Sequence, residues 1–199
     1  MLIYPFVAGL VAITLAFSPT SAKGEFLRFR LLPCESQILT RVGGPFGGPI
    51  VGRLSLHAGE AQGDPNDLRP SVRVKMTIEA TSYNSGIGLR DQDVQENYLH
   101  VKDYPVITFT SSGVEDIREP NSVQGPWQFK VKGILELHGV KREIFVPVRA
   151  LLKGKKIIVE GNVRLRLRDY QISPPTLFFF FRSGEDVEVD FRFVGEQQP

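Results

Sequence analysis

The sequence predicts an all-β chain, an antiparallel β-barrel of about eight strands with a short capping helix. Three observations carry this: apolar residues recur at every second position, the alternating segments are long, and one stretch alone breaks the period. In the segment 71–81, Val72, Val74, Met76 and Ile78 oppose Arg73, Lys75, Thr77 and Glu79. In 127–137, Trp127, Phe129, Val131 and Leu135 oppose Gln128, Lys130, Lys132 and Glu136. The segment 155–168 sets Ile157, Val159, Val163, Leu165 and Leu167 against Ile158, Glu160, Arg164, Arg166 and Arg168. Near the end, Val187, Val189, Phe191 and Phe193 oppose Glu188, Asp190 and Arg192. Successive strand side chains point to opposite faces, so each segment has one dry and one wet side. Strands beyond ten residues exceed the usual five or six and suit the tilted strands of a closed barrel. Closure also removes the edges that such strands would otherwise expose.

The chain opens on an almost wholly apolar run, residues 1–17, followed by Ser18, Pro19, Thr20, Ser21 and Ala22. A run of this length ending in small residues fits a secretory signal peptide better than a spanning helix, which needs about 20 residues. The expected division is therefore a signal peptide over 1–22, cleaved after Ala22, and one barrel domain over 23–199, located in the periplasm or secreted. No Lys or Arg precedes the run, so an uncleaved N-terminal anchor is the alternative. Cys34 is the sole cysteine and has no internal disulfide partner. Lys23, Glu25, Arg28 and Arg30 separate it from the apolar run, which argues against a lipid-acylated cysteine. The Gly-rich stretch 43–49 reads as a turn or loop and lacks the Lys-Ser/Thr pair of a phosphate loop.

The break in period falls at 89–99, where Val94 and Tyr98 stand four apart among Arg90, Asp91, Gln92, Asp93, Gln95, Glu96 and Asn97. This is a short helix with a narrow apolar stripe, placed to cap one barrel end. It leads through Tyr104-Pro105 into a strand from Val106, and His138-Gly139 makes a two-residue hairpin turn. Pro174 and Pro175 precede Thr176, Leu177 and four consecutive phenylalanines, Phe178, Phe179, Phe180 and Phe181. Four adjacent rings cannot share one strand face. Leu177 and these four are therefore barrel-mouth candidates, with extra core packing at the barrel end as the alternative.

A formal net charge of +2 argues against nucleic acid as a partner. His57, His100 and His138 are scattered, with no metal-ligand spacing, so neither a metal nor a cofactor is expected. Asp91, Asp93 and Glu96 read as a solvated helix start rather than an acid–base pair. His138, in its tight turn, reads as a partner of backbone groups rather than a catalytic base. Arg164, Arg166 and Arg168 share one strand face and point to water in a barrel; a patch for anionic headgroups or an acidic partner is the functional alternative.

The order of these features resembles the YceI-like family of secreted lipid- or polyisoprenoid-binding proteins. The resemblance rests on Gly52, on Arg90-Asp91 opening the helix, and on Tyr104-Pro105-Val106-Ile107-Thr108-Phe109. It rests further on His138-Gly139-Val140, on Arg168-Asp169-Tyr170-Gln171-Ile172 and on the closing strand 186–193. Two positions depart: Asp93 stands where many members carry His, and Asp169-Tyr170-Gln171 stands for Asp-Phe-Gly. The resemblance implies a lipocalin-like barrel whose hollow lumen holds a long apolar chain, isoprenoid or fatty-acyl, without catalysis. The expected lumen is lined by Val74, Met76, Ile78, Ile107, Phe109, Phe129, Val131, Leu135, Ile144, Val146, Val148, Val163 and Leu165. Contact with a membrane surface and the oligomeric state are left open. An apolar inner face fills a dry core equally well, so a packed structural or stress-response barrel acting through its surface is the alternative. A hydrolase or isomerase acting on a lipid is a weaker third.

Overall fold

The computed structural model describes residues 26–44, 48–118, 125–173, 176–177, 181–182 and 185–199. The strands, in chain order, are β1 (Leu27–Leu31), β2 (Gln37–Gly43), β3 (Pro49–Gly63), β4 (Arg73–Asn84), β5 (Val106–Arg118), β6 (Trp127–Leu137), β7 (Val140–Lys153) and β8 (Lys156–Arg166). A two-residue hairpin, β9 (Thr176–Leu177) with β10 (Phe181–Arg182), precedes the last strand, β11 (Asp186–Gln197). Every pairing is antiparallel, and β11 lies between β2 and β8, which closes β2 through β8 and β11 into a barrel. β1 and β2 together fill one strand position: a single helical turn, Pro33–Glu35, interrupts it, and each piece pairs with both β3 and β11.

The expected barrel is therefore the observed one, with small shifts at the ends. Ser71 belongs to a one-turn helix, α1 (Leu68–Ser71), and β4 starts two residues later. Its hydroxyl meets the Asp64 backbone, Asp64 N–H donating to Ser71 Oγ at 2.8 Å, which ties off the β3–β4 connection. Leu167 likewise leaves β8 for a short turn, Leu167–Tyr170. The capping helix, α2 (Gly88–Asp93), continues into one wider turn, Val94–Tyr98. The β6–β7 hairpin turns through His138 and Gly139 with φ of 53° and 72°. Positive φ at both central residues gives a turn whose twist matches its strands. A Cβ on Gly139 would overlap the Tyr104 ring, so this turn also packs on the segment leaving α2. Register shifts at Arg53/Ser55 and Leu56/Ala58 on β3, and at two places on β5, bend the wall where a regular ladder would stay flat.

Strand direction fixes what gathers at each end. β4, β6 and β8 finish, and β5, β7 and β11 begin, at the end that carries α2 and the His138-Gly139 turn. At the other end α1 joins β3 to β4, with Val72 buried and Leu68 packed on the core.

Candidate functional site

Inward side chains of eight strands meet around the barrel axis, and they do not fill it. A cavity of about 270 Å³ runs inside the wall. Apolar cavities of about 150 Å³ stay dry and take a benzene-sized guest, so this one has room for a longer apolar group. Every lumen candidate lines it except Phe129. Phe129 shares the inner face of β6 and is half-buried, packed against the core cluster without lining the cavity.

The hollow has a cause in the wall itself. Gly52, Gly133 and Gly161 stand on the barrel wall against the rings of Tyr83, Phe109 and Phe191, and a Cβ on each would overlap its ring. Large side chains whose rings settle onto glycine lie along the wall, so less of each ring projects toward the axis. Aromatic bulk is thereby accommodated without closing the lumen.

Sequence reasoning missed the β2–β3 side of the lining, Ile38, Thr40, Val42, Ile50 and Leu54. Their alternation is present, but the Gly-Pro stretch between the two strands interrupts it. Val159, Val187, Val189, Phe191 and Phe193 also line the cavity; they stand on the dry faces read from the sequence, yet were not assigned to the lumen. The helix-capped end supplies Tyr83, Arg90, Asp93, Val94, Tyr98 and Leu99, a departure from strand periodicity that no alternation could reveal.

That end is held by a compact polar knot. Asp91 is buried and accepts hydrogen bonds from both the backbone N–H and the hydroxyl of Ser85. The Ser85 hydroxyl, aided by the backbone and by Arg90, keeps the Asp91 carboxyl below its ordinary range, against the opposing effect of burial. Arg90 donates through Nε to Ser85 Oγ at 2.8 Å and through Nη2 to the Ser85 carbonyl at 3.2 Å. Gln95 Nε2 donates to the Tyr83 carbonyl at 2.9 Å, tying α2 to β4. Asp93 accepts from Asn97 Nδ2 at 2.8 Å. Burial pushes the Tyr83 phenol up, with Arg90 opposing and Asp91 adding to the shift.

The remaining chemistry-bearing residues are held by contacts around the barrel. The His138 ring meets the Tyr170 carbonyl through Nδ1 at 3.1 Å and His100 Nδ1 through Nε2 at 3.0 Å, joining the hairpin turn to the segments on either side. His57 pairs with Glu79 at 2.8 Å on the exposed outside. Among the described residues no group of three or more His, Cys, Asp or Glu could hold a metal. The arginine row is matched across strands and chain: Arg164 with Glu188, Arg166 with Asp186 at 3.9 Å, and Arg168 with Glu185 at 2.8 Å. With acidic partners in place, the row forms a solvated ion-pair ladder. Of the mouth candidates, Leu177 and Phe181 are backbone partners in the β9–β10 hairpin. Their side chains, and Phe178, Phe179 and Phe180, lie outside the described residues.

The family model described as the YceI-like domain matches residues 29–195. No curated protein sequence matches the chain. Among solved structures, Burkholderia cenocepacia BcnA is 20% identical with a TM-score of 0.67, covering 82% of this chain and 98% of its own. A polyisoprenoid binding domain from Saccharophagus degradans, implicated in plant cell wall breakdown, is 17% identical with a TM-score of 0.67, covering 86% and 99%. The Campylobacter jejuni YceI protein is 22% identical with a TM-score of 0.59, covering 76% and 86%. At these identities the likeness speaks for the fold.

Proposed function

The chain belongs to the YceI-like family, and from that premise we propose that it is an exported, non-catalytic carrier that holds a single long apolar chain, polyisoprenoid or fatty-acyl, in its barrel. One observation carries the reading: a barrel of this size keeps an apolar cavity of about 270 Å³ that a purely structural core would close. Empty apolar volume lowers stability, by about 24 cal/mol per Å³ in core truncations. A ligand that fills it recovers that loss. At about 30 Å³ per water- or methylene-sized group, 270 Å³ admits at least about nine methylenes. At about 0.8 kcal/mol each, these supply roughly 7 kcal/mol before the cost of association. The Saccharophagus degradans neighbour, whose structure is described as a polyisoprenoid binding domain, supports the ligand class. Export rests on the apolar run 1–17 and the small residues before Lys23.

Protein purified from its native host without detergent, extracted with solvent and examined by mass spectrometry, tests this. One lipid chain per protein and an N-terminus at Lys23 are expected. A lipid-free protein that stays lipid-free when offered vesicles would favour the packed barrel, and an intact Met1 in the cytosol would remove the export claim.

A further inference from the structure

The cavity lining is apolar along most of its length, and its polar minority is gathered at one place. Thr40 on β2 is 9% exposed and lines the cavity, and its hydroxyl makes no hydrogen bond to a described residue. Its cross-strand register partner is Gly52 on β3. The Tyr83 ring lies over that same Gly52, with the phenol oxygen 2.7 Å from where a glycine Cβ would stand. Inward side chains of register partners sit about 4.5–5.5 Å apart at Cβ, so the Thr40 and Tyr83 hydroxyls converge on one spot of the lumen. Tyr83 likewise makes no hydrogen bond from its hydroxyl to a described residue, although its backbone carbonyl is used by Gln95. Thr40 is buried and Tyr83 half-buried, and a hydroxyl that faces a dry lumen without a partner is costly.

We infer that the lumen is polarised, seating an uncharged oxygen-bearing head such as an alcohol or carbonyl between Thr40 and Tyr83 beneath α2, with the tail running toward the α1 end. The inference rests on the carrier reading and deepens it by naming the head chemistry and the ligand's direction. An uncharged head follows from the charges nearby. Arg90 and Asp93 are the charged residues lining the cavity and offset each other. The Arg90 guanidinium is engaged by Ser85, and the ionised Asp91 beside it adds a further negative charge. An anionic head would find no net positive charge here. The Tyr83 phenol, pushed up by burial, stays protonated and available as a donor.

The test uses three probes of equal chain length, 1-octadecene, oleyl alcohol and oleate, titrated by calorimetry into delipidated wild-type protein and the Thr40→Val and Tyr83→Phe variants. Each substitution removes a hydroxyl and little volume. Wild type should bind the alcohol at least about 10-fold more tightly than the alkene. Each variant should weaken alcohol binding by about 3- to 10-fold, the worth of one buried hydrogen bond, and leave alkene binding unchanged. Equal affinity for alkene and alcohol, or variants that bind the alcohol as wild type does, would overturn the head site while the carrier reading stands. Tighter binding of oleate than of the alcohol would overturn the uncharged head. Binding of none of the three would bring down the carrier reading itself. Should Thr40→Val fail to fold, Tyr83→Phe alone decides.

Discussion

Val131→Trp separates a hollow barrel from a packed one, because the two respond in opposite ways. Val131 is 6% exposed, lines the cavity and sits mid-strand on β6, opposite Val114 on β5 and Val146 on β7. An indole there adds bulk equal to about three methylenes beyond the isopropyl group it replaces, about a third of the nine or so that fit. Displacing about three methylenes of ligand forfeits roughly 2.4 kcal/mol, about 50-fold in Kd. The ring occupies space that is already empty, so the thermal midpoint of the lipid-free protein should hold or rise. In a packed core the same ring would cost about 1–3 kcal/mol, a fall of roughly 2–12 °C for a domain of this size. Calorimetric titration with oleyl alcohol gives the first quantity, and thermal unfolding of the lipid-free variant gives the second. A large fall in midpoint with ligand affinity unchanged would refute the reasoning.

Gly52→Ala should drive the Tyr83 ring off the wall, costing about 1–3 kcal/mol in denaturant unfolding, and the Gly52→Ala/Tyr83→Ala double variant should show strong non-additivity. Gln171 holds a φ of 57°, the left-handed region, so Gln171→Gly should raise stability by about 0.5–1 kcal/mol; a loss in unfolding measurements would mean the glutamine side chain has a role of its own. Asp91 is held below its ordinary 3.8, chiefly by the Ser85 hydroxyl, so its contribution is complete above that value and is lost as pH falls through the lower folded one. Thermal unfolding from about pH 6 down to about pH 2 should therefore show the α2 end of wild type loosening only in strong acid, and Asp91→Asn should lack that part of the acid slope. Replacing Arg164, Arg166 and Arg168 together by Ala should leave vesicle association unchanged in a sedimentation assay and change the unfolding midpoint little, because exposed ion pairs are screened by water.

Much of the wall was legible because a strand's period is local. Val74, Met76 and Ile78 on β4, and Val131 and Leu135 on β6, face the cavity as their alternation requires. Closure was less direct: strand length suggested it, but only the pairing of β11 with both β2 and β8 makes it. That the lumen is hollow could not be read from alternation, since its cause is non-local. Gly133 and Phe109 are far apart in sequence, and nothing in either segment says that one makes room for the other. The polar spot was hidden for the same reason, because Thr40 and Tyr83 meet only through the β2–β3 register and the glycine between them. Phe129 shows the limit of alternation, which gives a residue's face but not whether its side chain reaches the cavity. The arginine row showed its spacing in sequence but not its partners, which come from β11 and the residue before it.

Where the apolar chain sits is open to direct measurement with an alcohol of matched length carrying a photoreactive diazirine near the end of its tail. Irradiated with the purified full-length protein, digested and read by peptide mass spectrometry, the probe reports the side chains that surround the tail. Adducts are expected on inward residues such as Met76, Val131 and Val146, competed away by unlabelled oleyl alcohol, and none on outward neighbours such as Lys130 and Lys132. Adducts confined to the outer faces, or insensitive to the competitor, would contradict a tail held in the lumen.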